Sequence, residues 1–480
     1  MDADKIKEIM YFHNPWWVGK GVPEELLQDY QRPILKNLLS YLDLDRILVI
    51  KGPRRTGKTT LLYQMASHFI DKDVRPENIF FLSVEDIESR EDFDEIVKIY
   101  QQLTKRVINK QTKVYFFLDE IQFLQDWSLS LKRYFDKKYP IKFIVSGSAA
   151  SLIKRGSESL AGRTVEEIVL PFSFYEYLDY HVRDEKLKEI IDGLRKEFDF
   201  RRLPSKNSLI PYETRIKIVF EEYLNKGGFP HLFKVKEKIL WQKLLREDVI
   251  EKVIYRDLIE LYQIKKPSVL EKLFLYLAGH SSELLNVSNI ANSLALSREY
   301  TERYVDYLRG AYLIFKLKRY SRAVETQIRK LEKCYVSDPG LIQLSMSLDM
   351  GKIVETVIAR HLMERKVFYW RNHNYETDIV MDAEGGVLPV EVKYKNEIKL
   401  SDLRGILKFL ETFNQNYGIL ITKDLLEEKR IGNKLILCIP AWFFLLMVEE
   451  HDRLKKEIEA LRQENHEDQR KGLRNQGGLQ

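Results

Sequence analysis

The chain has 480 residues, of which 44% are hydrophobic and 31% charged, with a formal net charge of +6. This length exceeds one ordinary hydrophobic core and predicts several domains, and the composition excludes a disordered chain. A net charge this small for the length does not by itself indicate a nucleic-acid partner. The high content of Lys, Arg and Glu is typical of thermophilic proteins.

The N-terminus and the cysteines indicate the cellular compartment. The first residues, MDADKIKEIMYF, mix acids with lysines and lack the apolar core of a signal peptide, so we expect a cytoplasmic protein. The longest apolar run, 437–448, is shorter than the ~18 residues of a membrane span, so we expect a buried strand or helix end and no membrane partner. Cys334 and Cys438 are too few for a disulfide framework, and we expect both in the core.

A phosphate-binding loop is predicted by the stretch RILVIKGPRRTGKTTLLYQ, which reads as an apolar strand, a glycine-containing loop and a helix. Its G-x-x-x-x-G-K-T pattern indicates a loop whose backbone amides surround phosphates, whose lysine reaches the β- and γ-phosphates and whose threonine hydroxyl binds Mg²⁺. We therefore predict that ATP and Mg²⁺ bind here. The predicted loop residues are Gly52, Pro53, Arg54, Arg55, Thr56, Gly57, Lys58, Thr59 and Thr60.

Two carboxylates follow the next buried strand pattern, KVYFFLDE. We expect Asp119 to hold the Mg²⁺ together with Thr59, and Glu120 to polarise the attacking water as general base. A further strand pattern, IKFIVSGSAAS, ends in Ser146 and Ser148. These serines are candidates for sensing the γ-phosphate or for capping a following helix.

Arg163 follows a glycine in the loop of ESLAGRTVEEIVL. An arginine beside a nucleotide can neutralise transition-state charge, either in the same subunit or across an interface. A surface salt bridge is the alternative explanation.

Six motifs occur in a specific order: GPRRTGKTT, LDEIQ, SGSAAS, AGRT followed by LPFSFYEYL, GGFP at 227–230 and YVSDPGL at 335–341. In this order they resemble the AAA+-like P-loop ATPases, abundant in archaea, that are fused to an uncharacterised C-terminal domain of nuclease-like type. The resemblance implies an archaeal protein that binds and hydrolyses ATP, with Lys58 and Glu120 in catalysis. It also implies a homo-oligomer in which Arg163 acts in trans.

Between 267 and 333 the pattern is three helices followed by a ribbon, which is typical of a winged-helix domain. The third helix of such a domain enters the major groove of DNA, but here acids such as Glu299 and Glu302 cancel part of its attraction to phosphates. The basic wing is the stronger candidate contact with duplex or branched DNA. Its residues are Lys316, Lys318, Arg319 and Arg322. A solvated basic face, or a winged helix that contacts only protein, is the alternative.

The stretch VLPVEVKYK places Glu391 and Lys393 on one face of a strand, and we expect that face to be exposed. An isolated E-x-K strand is usually an ordinary solvated surface. Here Asp378 begins the preceding strand of a hairpin, and Glu355 lies on the helix before it. These four residues can therefore meet at one end of a sheet.

The order of helix, hairpin, E-x-K strand, helix and strand is similar to the PD-(D/E)XK nuclease fold. The resemblance implies that Glu355, Asp378 and Glu391 bind Mg²⁺ or Mn²⁺, and that Lys393 positions water or stabilises the transition state. In this role Asp378, Glu391 and Lys393 are the catalytic residues. The first strand also offers Glu376, and no proline precedes Asp378. A degenerate nuclease fold kept for binding or oligomerisation is the alternative.

The predicted fold class is α/β: an AAA+-like parallel sheet with a helical lid, then a winged helix and a nuclease-like α/β domain. The predicted ranges are 1–180 (P-loop ATPase domain), 181–265 (helical lid), 266–335 (winged helix), 336–448 (nuclease-like domain) and 449–480 (charged tail). We predict an ATP-hydrolysing, oligomeric, DNA-binding protein with a metal-dependent nuclease for DNA processing or repair. The alternative is a nucleotide-controlled scaffold or signalling ATPase whose nuclease-like domain is inactive.

Overall fold

The computed structural model describes residues 3–87, 93–105, 108, 113–148, 160–323, 330–345, 349–383 and 386–448. These residues form two compact units. Unit 1 contains the described residues up to 170 and the segment 255–264, and unit 2 contains 171–254 and 265–448. The predicted charged tail, residues 149–151 of the SGSAAS motif and positions 384–385 of the predicted hairpin turn lie outside the described residues.

Unit 1 is built on a parallel five-stranded sheet with the strand order β2-β3-β4-β1-β5. The strands are β1 (Ile47–Gly52), β2 (Ile79–Ser83), β3 (Val114–Asp119), β4 (Ile141–Ser148) and β5 (Thr164–Ile168). The helices are α1 (Ala3–His13), α2 (Glu24–Leu27), α3 (Ile34–Ser40), α4 (Lys58–Asp71), α5 (Phe93–Thr104) and α6 (Trp127–Asp136). The parallel sheet flanked by helices confirms the predicted α/β class.

Both faces of this sheet are buried, and for this reason its strands are continuous apolar runs. Leu48 and Ile50 pack on one face with residues of α3 and α4. Val49 packs on the other face with residues of α1 and α5. The two hydrophobic layers hold the carboxyl ends of β1, β3 and β4 at a common edge, where the predicted phosphate-binding loop begins.

Unit 2 contains a mixed nine-stranded sheet with the order β13-β14-β12-β11-β10-β9-β7-β8-β6. The strands are β6 (Glu283–Leu284), β7 (Ile314–Arg319), β8 (Lys333–Val336), β9 (Val367–Asn372), β10 (Tyr375–Ala383), β11 (Gly386–Val392), β12 (Tyr417–Thr422), β13 (Glu427–Ile431) and β14 (Lys434–Pro440). The sheet extends without a break across position 336 in the chain, because β7 pairs with both β8 and β9.

The remaining helices follow α6 in chain order. They are α7 (Phe174–Val182), α8 (Glu185–Glu197), α9 (Glu213–Lys226), α10 (Lys238–Leu245), a π-helical stretch (Arg246–Leu258), α11 (Ile259–Tyr262), α12 (Pro267–Gly279), α13 (Val287–Ser293), α14 (Arg298–Gly310), α15 (Pro339–Ile342), α16 (Met350–Leu362), α17 (Arg404–Phe413) and α18 (Ala441–Met447). In the described ranges no helix combines the length and the apolar character needed to cross a membrane.

Several expectations about burial are settled by the structure. Cys334 and Cys438 are buried free thiols, as predicted, and the apolar run 437–448 is a buried strand end followed by a buried helix. The expected exposed face of β11 is wrong, because Glu391 is only 5% exposed. Residues 388–392 of β11 are all buried, so this part of the strand does not alternate between core and solvent.

Candidate functional site

The predicted phosphate-binding loop connects β1 to α4, and two glycines give it its shape. Gly52 has φ +149°, and a Cβ there would lie 2.2 Å from the carbonyl oxygen of Val169. Gly57 has φ +93° and immediately precedes the first residue of α4, while no atom lies within 4 Å of the place where its Cβ would be. The loop therefore leaves an open space over a helix N-terminus, which is the arrangement that binds phosphates.

Lys58, the first residue of α4, lies buried within this loop. Its Nζ donates to the carbonyl oxygens of Gly52 and Pro53 at 3.1 and 2.7 Å. Burial lowers the pKa of Lys58, and the nearby carboxylates of Glu120 and Asp119 oppose that shift. A buried ammonium on carbonyl oxygens is favourably placed for an anionic ligand such as a triphosphate.

Thr59 and Asp119 form a pair of oxygen ligands beside Lys58. The Thr59 hydroxyl donates to Asp119 Oδ2 at 2.5 Å, and the Ser146 hydroxyl donates to Asp119 Oδ1. Burial raises the pKa of Asp119, with a further contribution from Glu120, and the two hydroxyl bonds act in the opposite direction. Hydroxyl and carboxylate oxygens are the ligands that Mg²⁺ prefers, so these residues fit the predicted magnesium ion.

Glu120 follows β3 in a left-handed conformation with φ +50°. Its backbone N–H donates to Asp119 Oδ1 at 3.1 Å, and Gln122 Nε2 donates to its carboxylate. A non-glycine residue in this conformation is uncommon and clusters at functional sites. The charge of Glu120 acts on the ammonium of Lys58 in the loop, and its role as general base stays a prediction.

Two supporting residues of the loop were not predicted. Arg32, which is buried, donates to the carbonyl oxygens of Thr56 and Leu170 at 2.9 and 3.0 Å. Asp257, in the segment 255–264 of unit 1, accepts two hydrogen bonds from Arg54 at 2.8 Å each. Neither residue lies at a motif spacing from the loop, so the sequence carries no signal for either.

Arg55, Thr56 and Thr60 complete the predicted loop. Arg55 has φ +65°, and the Thr56 hydroxyl donates to the Pro53 carbonyl oxygen at 3.0 Å. Thr60 lies half-buried in the first turn of α4. The loop conformation is thus determined by its own hydrogen bonds together with Arg32 and Arg54.

Arg163 lies in the turn before β5, and its side chain is 31% exposed. Its guanidinium forms two hydrogen bonds to Asp136, at 2.7 and 3.1 Å. Within one chain the residue therefore forms the surface salt bridge considered above. A role across a subunit interface stays a prediction.

The predicted residues of the nuclease-like site do converge in unit 2. Glu355 lies on α16, Asp378 on β10 and Glu391 on β11, and all three are buried. Asp378 Oδ2 accepts from the backbone N–H of Val392 at 2.9 Å, and Lys393 Nζ donates to Glu391 at 2.6 Å. The four side chains predicted to meet therefore lie near one another, and their role stays a prediction.

An additional lysine, not predicted, lies among these acids. Lys333 is the first residue of β8, and its side chain is 3% exposed. Its Nζ lies 3.0 Å from Glu355, 2.7 Å from Glu376 and 3.4 Å from Asp378. Tyr335, two residues along the same strand, donates its hydroxyl to Glu355 at 2.9 Å.

The electrostatics of this acidic cluster follow from burial. Burial, together with the charge of Asp378, raises the pKa of Glu355 to about 7 and that of Glu391 to about 8, against the opposing lysines. Among the described residues, no three His, Cys, Asp or Glu side chains are arranged to hold one metal ion. The predicted ligand set of Glu355, Asp378 and Glu391 does not fit a metal ion as placed.

Some of the charges of the predicted DNA-binding elements are paired within the chain. On α14, Arg298 and Arg303 bond to Glu302 and Glu299 at 2.9 and 2.7 Å. In the predicted wing, Lys316 lies 2.7 Å from Glu332. Arg322 lies 5.6 Å from the ring centre of Phe413, and Lys318 and Arg319 are in β7, whose neighbours are β8 and β9. This pairing leaves less positive charge for phosphates than the sequence alone indicated.

Three parts of the chain match known protein families. Residues 44–178 match the family described as "AAA domain". Residues 218–350 and 350–443 match two families described as domains of unknown function, DUF8612 and DUF4143. The first match covers the described loop, Asp119, Glu120 and Arg163, so unit 1 carries an AAA-type P-loop ATPase domain.

Similar proteins span most of the chain. An uncharacterized protein of Haemophilus influenzae is 24% identical over 425 residues, which is 85% of this chain and 96% of that protein. The uncharacterized protein MJ1544 of Methanocaldococcus jannaschii is 28% identical over 428 residues, which is 83% of this chain and 88% of that protein.

Two solved structures are similar at a low level. The Aeropyrum pernix ORC1 protein in complex with DNA has a TM-score of 0.30 and 10% identity, covering 70% of this chain and 94% of that one. C. elegans PCH-2 has a TM-score of 0.26 and 16% identity, covering 52% of this chain and 69% of that one.

Proposed function

We propose that this protein is a Mg²⁺-dependent ATP hydrolase that uses nucleotide turnover to control a partner-binding C-terminal unit. The observation that carries the first part is the 2.5 Å contact between the Thr59 hydroxyl and Asp119, beside the buried ammonium of Lys58. Lys58 supplies a positive charge that can bind phosphate. Thr59 and Asp119 supply two oxygen ligands for Mg²⁺ beside it, at the N-terminus of α4. The sequence motif and the geometry of the same residues therefore both support Mg²⁺-dependent ATP hydrolysis.

The residues of unit 1 have separable roles in hydrolysis. The loop amides and Lys58 bind the β- and γ-phosphates, and Thr59 and Asp119 would hold Mg²⁺, which neutralises phosphate charge when bound. Glu120 accepts a proton from the attacking water as the bond between the γ-phosphorus and the β,γ-bridging oxygen breaks. Ser146 holds the Asp119 carboxylate in place from β4.

Control of unit 2 is supported by chain connectivity. The segment 255–264 belongs to unit 1, but the residues on either side of it in the chain belong to unit 2. Its Asp257 bonds to Arg54 of the phosphate-binding loop. A change in the loop on nucleotide binding therefore acts on a segment that is covalently continuous with unit 2.

The test is ATP turnover by the wild type, Lys58→Ala and Glu120→Gln, together with binding of a fluorescent ATP analogue. We expect Lys58→Ala to lose both binding and turnover. We expect Glu120→Gln to bind nucleotide normally and to lose at least 100-fold in kcat, on the order of a missing general base. Lys72→Ala, just beyond the end of α4, is the matched control. Wild-type turnover by Glu120→Gln would refute the assignment.

A second candidate function is metal-dependent DNA cleavage by unit 2. The convergence of Asp378, Glu391 and Lys393 favours it, since these are the residues such a reaction uses. The test is cleavage of linear, forked and four-way DNA by the wild type and by Asp378→Ala, in Mg²⁺ or Mn²⁺, with and without ATP. Cleavage that is lost in Asp378→Ala would support this function. Lys333 opposes this function, because its ammonium lies 3.0 Å from Glu355 and 3.4 Å from Asp378, two of the predicted metal ligands.

DNA binding without cleavage is the remaining alternative. The ion pairs of α14 and of Lys316 reduce the positive charge that these two elements offer to phosphates. DNA-stimulated ATP turnover that falls steeply with salt would support it. Turnover that is unaffected by any DNA would favour a protein partner.

A further inference from the structure

The acidic cluster of unit 2 contains four carboxylates and two lysines. Lys333 contacts Glu355, Glu376 and Asp378, and Lys393 contacts Glu391 at 2.6 Å. Each carboxylate of the cluster therefore already has a cationic partner. An ammonium carries three N–H donors, which matches the three carboxylates around Lys333.

The position of Lys333 is determined by the sheet and not by the acids alone. Its backbone pairs with Leu284 of β6 on one side and with Leu317 of β7 on the other. Because β8 is paired with a strand on each side, the backbone of Lys333 is held in place beside the acids. Its side chain is also only 3% exposed, so the ammonium is shielded from solvent among the carboxylates.

A divalent ion and this ammonium compete for the same oxygen atoms. Mg²⁺ and Mn²⁺ need carboxylate oxygens in close contact, at about 2.0–2.1 Å for Mg²⁺. Lys333 Nζ lies 3.0 Å from Glu355 Oε1 and 3.4 Å from Asp378 Oδ1. A metal on these oxygens would lie next to a positive charge in a buried site, where like charges repel strongly.

We infer that Lys333 is the internal cation of this cluster and takes the place of the divalent metal ion that a nuclease-like site requires. Unit 2 then keeps the acids as a buried ion-pair network that joins β8, β10, β11 and α16. In this arrangement no metal-activated water forms at Asp378 and Glu391. The inference does not depend on ATP hydrolysis by unit 1.

The experiment is titration with Mn²⁺ in the absence of nucleotide, followed by electron paramagnetic resonance. The full-length wild type is compared with Asp378→Asn, so that any binding at this cluster appears as the difference between them. The informative variant is Lys333→Met, which removes the charge but keeps a long apolar side chain. Lys316→Met is the matched control, since Lys316 is an ion-paired lysine of the neighbouring strand β7.

We expect the wild type and Asp378→Asn to bind Mn²⁺ equally. We expect Lys333→Met to gain one Mn²⁺ site and to bind Mn²⁺ there at least tenfold more tightly than the wild type does. That site should disappear when Asp378→Asn is added to the same chain. Mn²⁺ should raise the unfolding temperature of Lys333→Met but not that of Lys316→Met.

Two results would overturn the inference. One is a wild-type Mn²⁺ site that is lost in Asp378→Asn. The other is a folded Lys333→Met protein that binds no Mn²⁺. If Lys333→Met does not fold, the comparison of wild type with Asp378→Asn still decides between the two possibilities, because equal binding supports the inference and unequal binding refutes it.

Discussion

Arg54 and Asp257 lie 203 positions apart in the chain and form a bidentate ion pair, with Nε–Oδ2 and Nη2–Oδ1 distances of 2.8 Å. Their side chains are 11% and 5% exposed. Burial alone would lower the pKa of Arg54, but the bond to Asp257 raises it overall. The pair therefore fixes the backbone of the phosphate-binding loop from a distant part of unit 1.

Asp257→Asn removes the charge of this pair with little change in shape. The Arg54 guanidinium then stays buried without its carboxylate, so we expect unit 1 to lose about 3 kcal/mol of stability. Because the loop is less well positioned, we also expect KM for ATP to rise about tenfold, or about 1.4 kcal/mol of binding. Steady-state kinetics and urea unfolding measure the two effects.

The matched control for Asp257→Asn is Asp248→Asn in the same π-helical stretch, where Asp248 pairs with the more exposed Lys252 at 2.7 Å. It should leave KM unchanged. A rise in KM in both variants would mean that the helix, and not the ion pair, positions the loop.

The loop itself could be predicted because its information is local. Two glycines, a lysine and a threonine within eight positions define the turn, the helix start and the metal ligand. The carboxylates of Asp119 and Glu120 follow from the end of a buried apolar strand by the same local reasoning.

The residues of both sites that the sequence did not predict are brought there by contacts between distant parts of the chain. Asp257 reaches Arg54, and Lys333 reaches Asp378, only because strands and helices that are distant in sequence are adjacent in the fold. A basic residue at the start of KCYV is indistinguishable from a surface lysine until its strand is placed between β7 and β6 in the sheet. Glu391 was placed on an exposed face for the same reason, because period-two patterning does not show that both faces are covered.

The motifs GGFP and YVSDPGL contact each other through hydrogen bonds of Asp338. Asp338 accepts from the backbone N–H groups of Gly228 and Gly340, both at 2.8 Å. A Cβ on Gly228 would lie 2.1 Å from the carbonyl oxygen of Phe172. We therefore expect Gly228→Ala to lower the free energy of unfolding of unit 2 by about 2–3 kcal/mol, measured by urea denaturation.

Gly193→Ala is the control for that substitution. Gly193 lies inside α8, and no atom lies within 4 Å of the place where its Cβ would be. Alanine there should stabilise unit 2 by roughly 0.5–1 kcal/mol, since glycine is unfavourable inside a helix. Destabilisation by both variants would contradict the steric explanation.

The carboxyl group of Asp338 should make the stability of unit 2 depend on pH. Burial raises its pKa to about 6, against the opposing effects of Arg360 and two backbone N–H groups. Because this pKa lies above the unfolded value of 3.8, the stabilising contribution is present below pH ~4 and is lost as the pH rises through 6.

Comparison with Asp338→Asn isolates this contribution. The wild type should lose up to about 3 kcal/mol relative to the variant between pH 4 and pH 8, which corresponds to a shift of about two pKa units. Urea unfolding at intervals across this range measures it. A constant difference between the two proteins would show that Asp338 is ionised throughout, stabilised by its N–H bonds.

The homo-oligomer predicted from the sequence can be tested through Arg163, whose salt bridge to Asp136 at 2.7 Å leaves it at the surface of one chain. If Arg163 completes the site of a neighbouring subunit, Arg163→Ala should lower kcat at least tenfold without a change in nucleotide binding. Asp136→Ala frees the guanidinium and should not lower kcat. A loss in both variants would assign the effect to the salt bridge.

Mixing variants distinguishes action in trans from action in cis. Lys58→Ala subunits cannot bind ATP productively but keep Arg163, so adding them to Arg163→Ala should restore turnover at the intact loops of the latter. The double variant Lys58→Ala/Arg163→Ala should restore nothing. Because the rescue requires a shared interface, its dependence on protein concentration should follow subunit assembly measured by light scattering. An Arg163→Ala defect that no mixture rescues would place the arginine in its own subunit's site.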